Sequence, residues 1–142
     1  MLAVSTYPQD YIDESRSRIA AQVAAYEKLA VSVNKGADAQ QRAGRDFEPK
    51  FFSAMILALD AAFVHRLRMK EQKDGNPLNE VRMLSNSILN DRGTMAADKT
   101  IKYDPKKSVL KYAFGDEVAV NAAGFKKLSA AFLAEIEAKY RG

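Results

Sequence analysis

The 142-residue chain contains no cysteine and a single histidine. The first absence excludes a disulfide framework, thiolate metal sites and cysteine nucleophiles together. The lone imidazole, His65, belongs to neither a His-x-x-x-His nor a Glu-x-x-His motif. The spacing that helical metal sites use is therefore missing, and no metal or cofactor is expected. Neither Gly-x-Ser-x-Gly nor Gly-x-x-x-x-Gly-Lys occurs, so the chain carries no nucleophile elbow and no phosphate loop. Its most apolar stretch, Ala54 to Leu59, is cut by Asp60 and falls far short of the roughly 20 residues of a membrane span. The first eight residues lack both a basic start and an apolar core; no secretory signal is read there, and a cytoplasmic protein that does not contact the membrane is expected.

What is present is ordinary globular material. Hydrophobic residues make up 47% and charged residues 28%, which argues against disorder. A chain of this length buries roughly two thirds of its unfolded surface, so residues 1–142 are expected to form one helical domain. The net charge of +4 eases approach to phosphate without demanding it.

Helical periodicity accounts for most of the chain. Ile12, Ile19, Val23, Tyr26, Ala30 and Val33 form a coiled-coil-like seam, predicting a first helix over about 8–33. Arg16 interrupts this seam, so its amino-terminal turns should be the less buried ones. Residues 37–44, polar and bordered by Gly36 and Gly44, read as a connector. Asp46 then caps a second helix over about 47–72, apolar over most of its circumference, with an alanine strip of Ala54, Ala58 and Ala61 that would let another helix approach closely. Asn76-Pro77 opens a third helix over about 77–91, and Asn121 caps a fourth over about 122–140. Between the last two, short β-branched and aromatic runs separated by Asp104-Pro105 and Gly115-Asp116 predict a small β-hairpin or meander over about 100–120. The expected fold is thus mainly α, a four-helix bundle with a β insertion before the last helix.

One polar constellation stands out. Arg66 falls within the apolar face of the second helix, where a guanidinium needs an acidic partner, and Glu80 across the short turn is the natural one. Asn79, Arg82, Asn86 and Asn90 share one face of the third helix. If the two faces meet, His65, Arg66, Asn79, Glu80, Arg82 and Asn86 would line a cleft for an anionic or amide ligand. The plainer reading makes His65 a partly buried core imidazole and the asparagines a solvated face. A second cluster, Lys99, Lys102, Lys106, Lys107 and Lys111 with Tyr103 and Tyr112 interleaved, could stack on single-stranded nucleic acid, although lysines more often guard edge strands.

The expectation is a small interaction module, homodimeric through the first or second helix because a four-helix core has more apolar helix surface here than it can cover. A protein partner would suit such a module. The alternatives are a nucleic-acid or anionic-ligand binder using the Arg and Lys clusters, and a metal-free hydrolase centred on His65; no catalytic residue can be assigned.

Overall fold

A computed structural model describes residues 3–142. Five helices follow one another: α1 Gln9–Asn34, α2 Asp38–Ala62, α3 Arg68–Glu71, α4 Pro77–Asn90 and α5 Ala122–Tyr140. The four long ones form a mainly α bundle in which α1 and α2 make one layer, α1 also packing on α5 and α2 on both α4 and α5. The core lies between the layers, where Phe52, Ile56, Leu59 and Phe63 meet Leu84, Phe125, Phe132 and Ile136, all of them essentially inaccessible to solvent.

The first, third and fourth predicted helices begin and end within one residue of expectation. Asn76 accepts hydrogen bonds from the amides of Leu78 and Asn79 ahead of Pro77, and Asn121 accepts one from Gly124, so both helix starts are held by their written caps. The second helix differs at both ends. It begins at Asp38, which makes the expected 37–44 connector helical. Gly44 is not a boundary but a point of close approach, since a Cβ there would come within 2.8 Å of a Val33 methyl. The helix also stops at Ala62 rather than near 72. Residues 63–67 turn and pair with the amino-terminal segment instead, Val4 donating to the His65 carbonyl at 2.7 Å and accepting from the Leu67 amide at 2.8 Å.

The β-hairpin expected over 100–120 is not formed. The β pairings among the described residues are isolated bridges, Val4 with Arg66, Tyr7 with Arg141 and Thr94 with Glu117. Side chains take the place of a ladder: Glu80 receives the amides of Val109 and Leu110, Asp116 that of Ala113, and the Tyr112 hydroxyl that of Ala119. Strand-forming residue types are present, but their backbone donors are satisfied across the molecule rather than by a neighbouring strand.

Burial along α1 reverses the expectation. Its buried residues are Ile12, Ser15, Ile19 and Val23, none of them in the last eleven residues, and Arg16 reaches sideways to Glu137 at 2.6 Å instead of entering the core. Beyond Val23, and before Phe52 on α2, no residue of the α1–α2 hairpin is buried. That stretch forms an arm that touches α5 through polar contacts, Glu48 accepting the Ala122 amide at 3.0 Å and Glu27 meeting Lys126 at 2.7 Å, and it is stiffened by Tyr26, Phe47 and Phe51 stacking with centroids 5.5–6.4 Å apart.

Candidate functional site

The break in the second helix builds the main polar centre. Arg66, leaving the turn after Phe63, points inward with its side chain fully buried, and Glu71 at the end of α3 meets it, equally buried. Arg66 Nε donates to Glu71 Oε1 at 2.9 Å; its Nη1 reaches Asp60 at 3.0 Å and the Phe63 carbonyl, and its Nη2 the Leu78 carbonyl. The Phe132 ring lies 5.4 Å beneath the guanidinium. Arg82 adds two bonds to Glu71, 3.0 Å from Nε and 2.6 Å from Nη2, and Asn79 adds a fourth at 2.9 Å. Burial by itself would push the Glu71 carboxyl up, but the Arg82 hydrogen bonds and the Arg66 charge outweigh it and hold the group below its ordinary value.

The Arg66–Glu71 pair at the heart of this centre is satisfied within the fold. Both Glu71 oxygens accept two hydrogen bonds, and four donor contacts of Arg66 are matched internally. Neighbouring groups enclose the centre further: Tyr140 donates its hydroxyl to the Leu67 carbonyl at 2.6 Å, and Lys139 and Asn76 donate to the Glu71 carbonyl. The Tyr140 phenol is pushed up to about 12 by burial, with the Glu71 charge adding to the effect. The arrangement is a clamp that ties α2, α3 and α4 together.

The six residues expected to line a ligand cleft are dispersed. Arg66 pairs with Glu71 and Asp60 in place of the expected Glu80. Glu80 instead accepts the amides of Val109 and Leu110, at 2.8 and 2.9 Å, fastening the 91–121 segment to α4. Burial pushes its carboxyl up against the lowering effect of those amides. His65 is exposed rather than partly buried, because the turn at 63–67 carries it off the α2 axis. Asn79 is wholly buried, Arg82 half-buried and Asn86 exposed. Five surface cavities of about 400–540 Å³ lie elsewhere, and none is lined by Arg66, Asn79, Glu80 or Arg82.

Asn86 does share an open polar cleft of about 420 Å³ with Lys99, Asn90 and Asp98. Lys102, Lys106, Lys107 and Lys111 are exposed on the irregular segment, and Lys111 bonds the Lys106 carbonyl at 2.9 Å. The acidic residues among them serve turns: Asp98 takes the Thr100 amide and hydroxyl, and Asp104 the Lys106 amide.

The surface that remains unaccounted for is the outer side of the α1–α2 layer, whose edge at Lys50 and Ala54 borders a cleft shared with Ile88 of α4 and Val118. At about 100° per residue, Gln22, Ala25 and Leu29 form one strip on α1, and Ala43, Phe47, Ala54, Ala58 and Ala61 a parallel one on α2. Every one of these residues is exposed, Leu29 by 53% and Phe47 by 46%. An open groove of about 540 Å³ lies between the helices of the arm and the start of α5, lined by Tyr26, Leu29, Phe47 and Ala122. The alanine strip was legible as a place of close helix approach, but Phe47 and the arm it stands on were missed, because 37–44 read as a connector. The charges on this side are few: Glu14 and Arg18 on α1 and Lys50 on α2. No known protein family, curated protein or solved structure matches the chain.

Proposed function

We propose that the protein is a homodimeric interaction module that self-associates through the outer face of the α1–α2 layer. The observation that carries this reading is the uncovered apolar surface centred on Leu29 of α1 and Phe47 of α2, which the alanine strip continues along α2. Isolated helices of a dozen residues are marginal in water, and most helical stability comes from burying an apolar face. No residue of the arm, Ala24 to Phe51, is fully buried, Tyr26 and Phe51 alone packing on the edge of the core, so a partner surface would add burial that the bundle does not supply. Contiguous exposed apolar patches mark interaction sites.

Sedimentation equilibrium across micromolar concentrations tests the proposal. Self-association returns twice the chain mass of 15.7 kDa, and Phe47→Glu with Leu29→Glu returns the single mass while circular dichroism stays unchanged. A monomer mass for the unaltered chain throughout the range would refute it.

A further inference from the structure

The outer face of the α1–α2 layer carries a pattern beyond its apolarity. Leu29 lies five residues before the end of α1, and Ala43 five residues after the start of α2; Ala25 and Phe47 are likewise nine residues from those ends, and Tyr11 and Ala61 twenty-three. In a helical hairpin, positions equally far from the turn stand at equal height, because both helices rise about 1.5 Å per residue. At each of these heights one helix carries a large side chain and the other an alanine: Leu29 on α1, Phe47 on α2 and, at the far end, Tyr11 on α1, whose ring stacks on Tyr7 with its hydroxyl donating to the Ala62 carbonyl. Two of the three charged positions obey the same rule, since Arg18 shares its height with Ala54 and Glu14 with Ala58. The third, Lys50, shares its height with Gln22, whose side-chain carbonyl is an acceptor for an ammonium.

From this pattern we infer that two copies pack outer face to outer face about a two-fold axis parallel to the helices, so that α1 of each copy lies antiparallel on α2 of the other. This rests on the self-association reading and specifies its geometry. Such an axis exchanges α1 for α2 while preserving height. Leu29 therefore meets the partner's Ala43, and Phe47 meets the partner's Ala25. Bumps fall into hollows at these heights, as ridges-into-grooves packing requires, and at the middle of the layer Lys50 meets the polar amide of the partner's Gln22.

Three features favour a second copy over an unrelated chain. The complementarity is internal to this sequence, and an isologous contact demands that a face complement itself. Each charge on the face lies directly opposite an alanine or a glutamine, and the nearest like charge across the contact, the partner's Arg18, is one helical turn from Lys50. The layer is about 39 Å long and roughly 20 Å wide, a footprint of roughly 780 Å², close to the roughly 800 Å² per partner of a stable interface. A two-fold perpendicular to the helices is disfavoured, because centring it on the full layer sets Lys50 against the partner's Lys50.

The absence of native cysteine allows a direct test by disulfide cross-linking between singly substituted full-length proteins. Mixing Leu29→Cys with Ala43→Cys, and separately Ala25→Cys with Phe47→Cys, should give heterodimeric disulfides on mild oxidation. The control mixture, Leu29→Cys with Ala25→Cys, should give at least about tenfold less, because those Cα atoms lie beyond the reach of a disulfide in this packing. Preferential linkage in the control, or no linkage in either test mixture while the sedimentation mass stays dimeric, overturns this geometry and leaves self-association standing. A monomer mass for the unaltered chain removes both.

Discussion

Arg66 and Glu71 are five residues apart in sequence, and their side chains meet at 2.9 Å with neither accessible to solvent. On an unbroken helix five residues separate side chains by about 140°, so the contact exists only because the chain leaves helical geometry after Ala62 and re-enters it at Arg68.

Breaking this pair should be among the most damaging single changes. Arg66→Ala leaves Glu71 with fewer donors in a buried site, and Glu71→Ala strands two guanidinium groups; each should cost about 3–5 kcal/mol. Thermal melts should show both losses unrelieved by added phosphate, since Arg66 and Glu71 are sealed from solvent and satisfy one another within the fold. His65→Ala and Asn86→Ala, at exposed positions, should stay within about 0.5 kcal/mol of the unaltered protein. A phosphate-dependent rise in the melting temperature that Arg66→Ala abolishes would contradict the clamp.

The two buried carboxylates predict opposite responses to acid. Glu71 is held below the ordinary carboxyl value of 4.5, so its contribution is present above that pH and is lost as the pH falls through the lower folded value. Glu80 is raised above 4.5, so its folded form takes up a proton first, and stability should grow as the pH falls through the raised value towards 4.5. The difference in unfolding free energy between the unaltered protein and Glu80→Gln should therefore shift in favour of the unaltered protein on mild acidification. Urea titrations at a series of pH values measure this, and a flat difference would show that Glu80 does not titrate above its unfolded value.

Self-association links stability to concentration. Ligands that bind only the folded state raise the melting temperature by mass action, and a second copy is such a ligand. The unaltered protein should melt at a higher temperature as its concentration rises, whereas Phe47→Glu should melt at one temperature throughout. Scanning calorimetry over a hundredfold dilution series, on the order of what such linkage needs to be seen, distinguishes them.

Two glycines should respond differently to alanine. Gly75 has φ +88° and no room, a Cβ there falling 2.3 Å from the Lys102 carbonyl oxygen, while Gly115 has φ +93° with no neighbour within 4 Å. Gly115→Ala should cost the left-handed penalty alone, about 1–2 kcal/mol. Gly75→Ala should cost more, because the 73–75 turn must also separate from Lys102, whose amide donates to the Lys73 carbonyl at 2.8 Å. Equal losses in denaturant titrations would deny the close approach.

The helix starts at Asn76 and Asn121 were legible because caps act locally, through side chains two or three residues from the amides they bind. The need of Arg66 for a buried carboxylate was equally legible, since burial of a lone charge is prohibitive whatever the fold. Its partner was not. Choosing Glu71 over Glu80 requires knowing that residues 63–67 abandon the helix to pair with Val4, a long-range contact without a local signal. The arm was hidden for a related reason: Gly44 suits a boundary and a close helix crossing alike, and only Val33 beside it decides between them. Residues 100–120 misled through residue type, since β-branched and aromatic runs serve a side-chain-pinned segment as well as a strand.

That segment places an unusual demand on sequence identity. In a ladder each amide is satisfied by another main chain, which every residue except proline supplies, so side chains can drift while the pairing survives. Between Asn90 and Ala122 the amides of Ala96, Val109, Leu110, Lys111 and Ala113 depend on Ser87, Glu80, Ser108 and Asp116. Each acceptor is a single substitution away from being lost, and no neighbouring strand stands ready to replace it. In a library of single substitutions, this coil-like stretch and its distant anchors should tolerate as little change as the core, whereas the lysines between them vary freely.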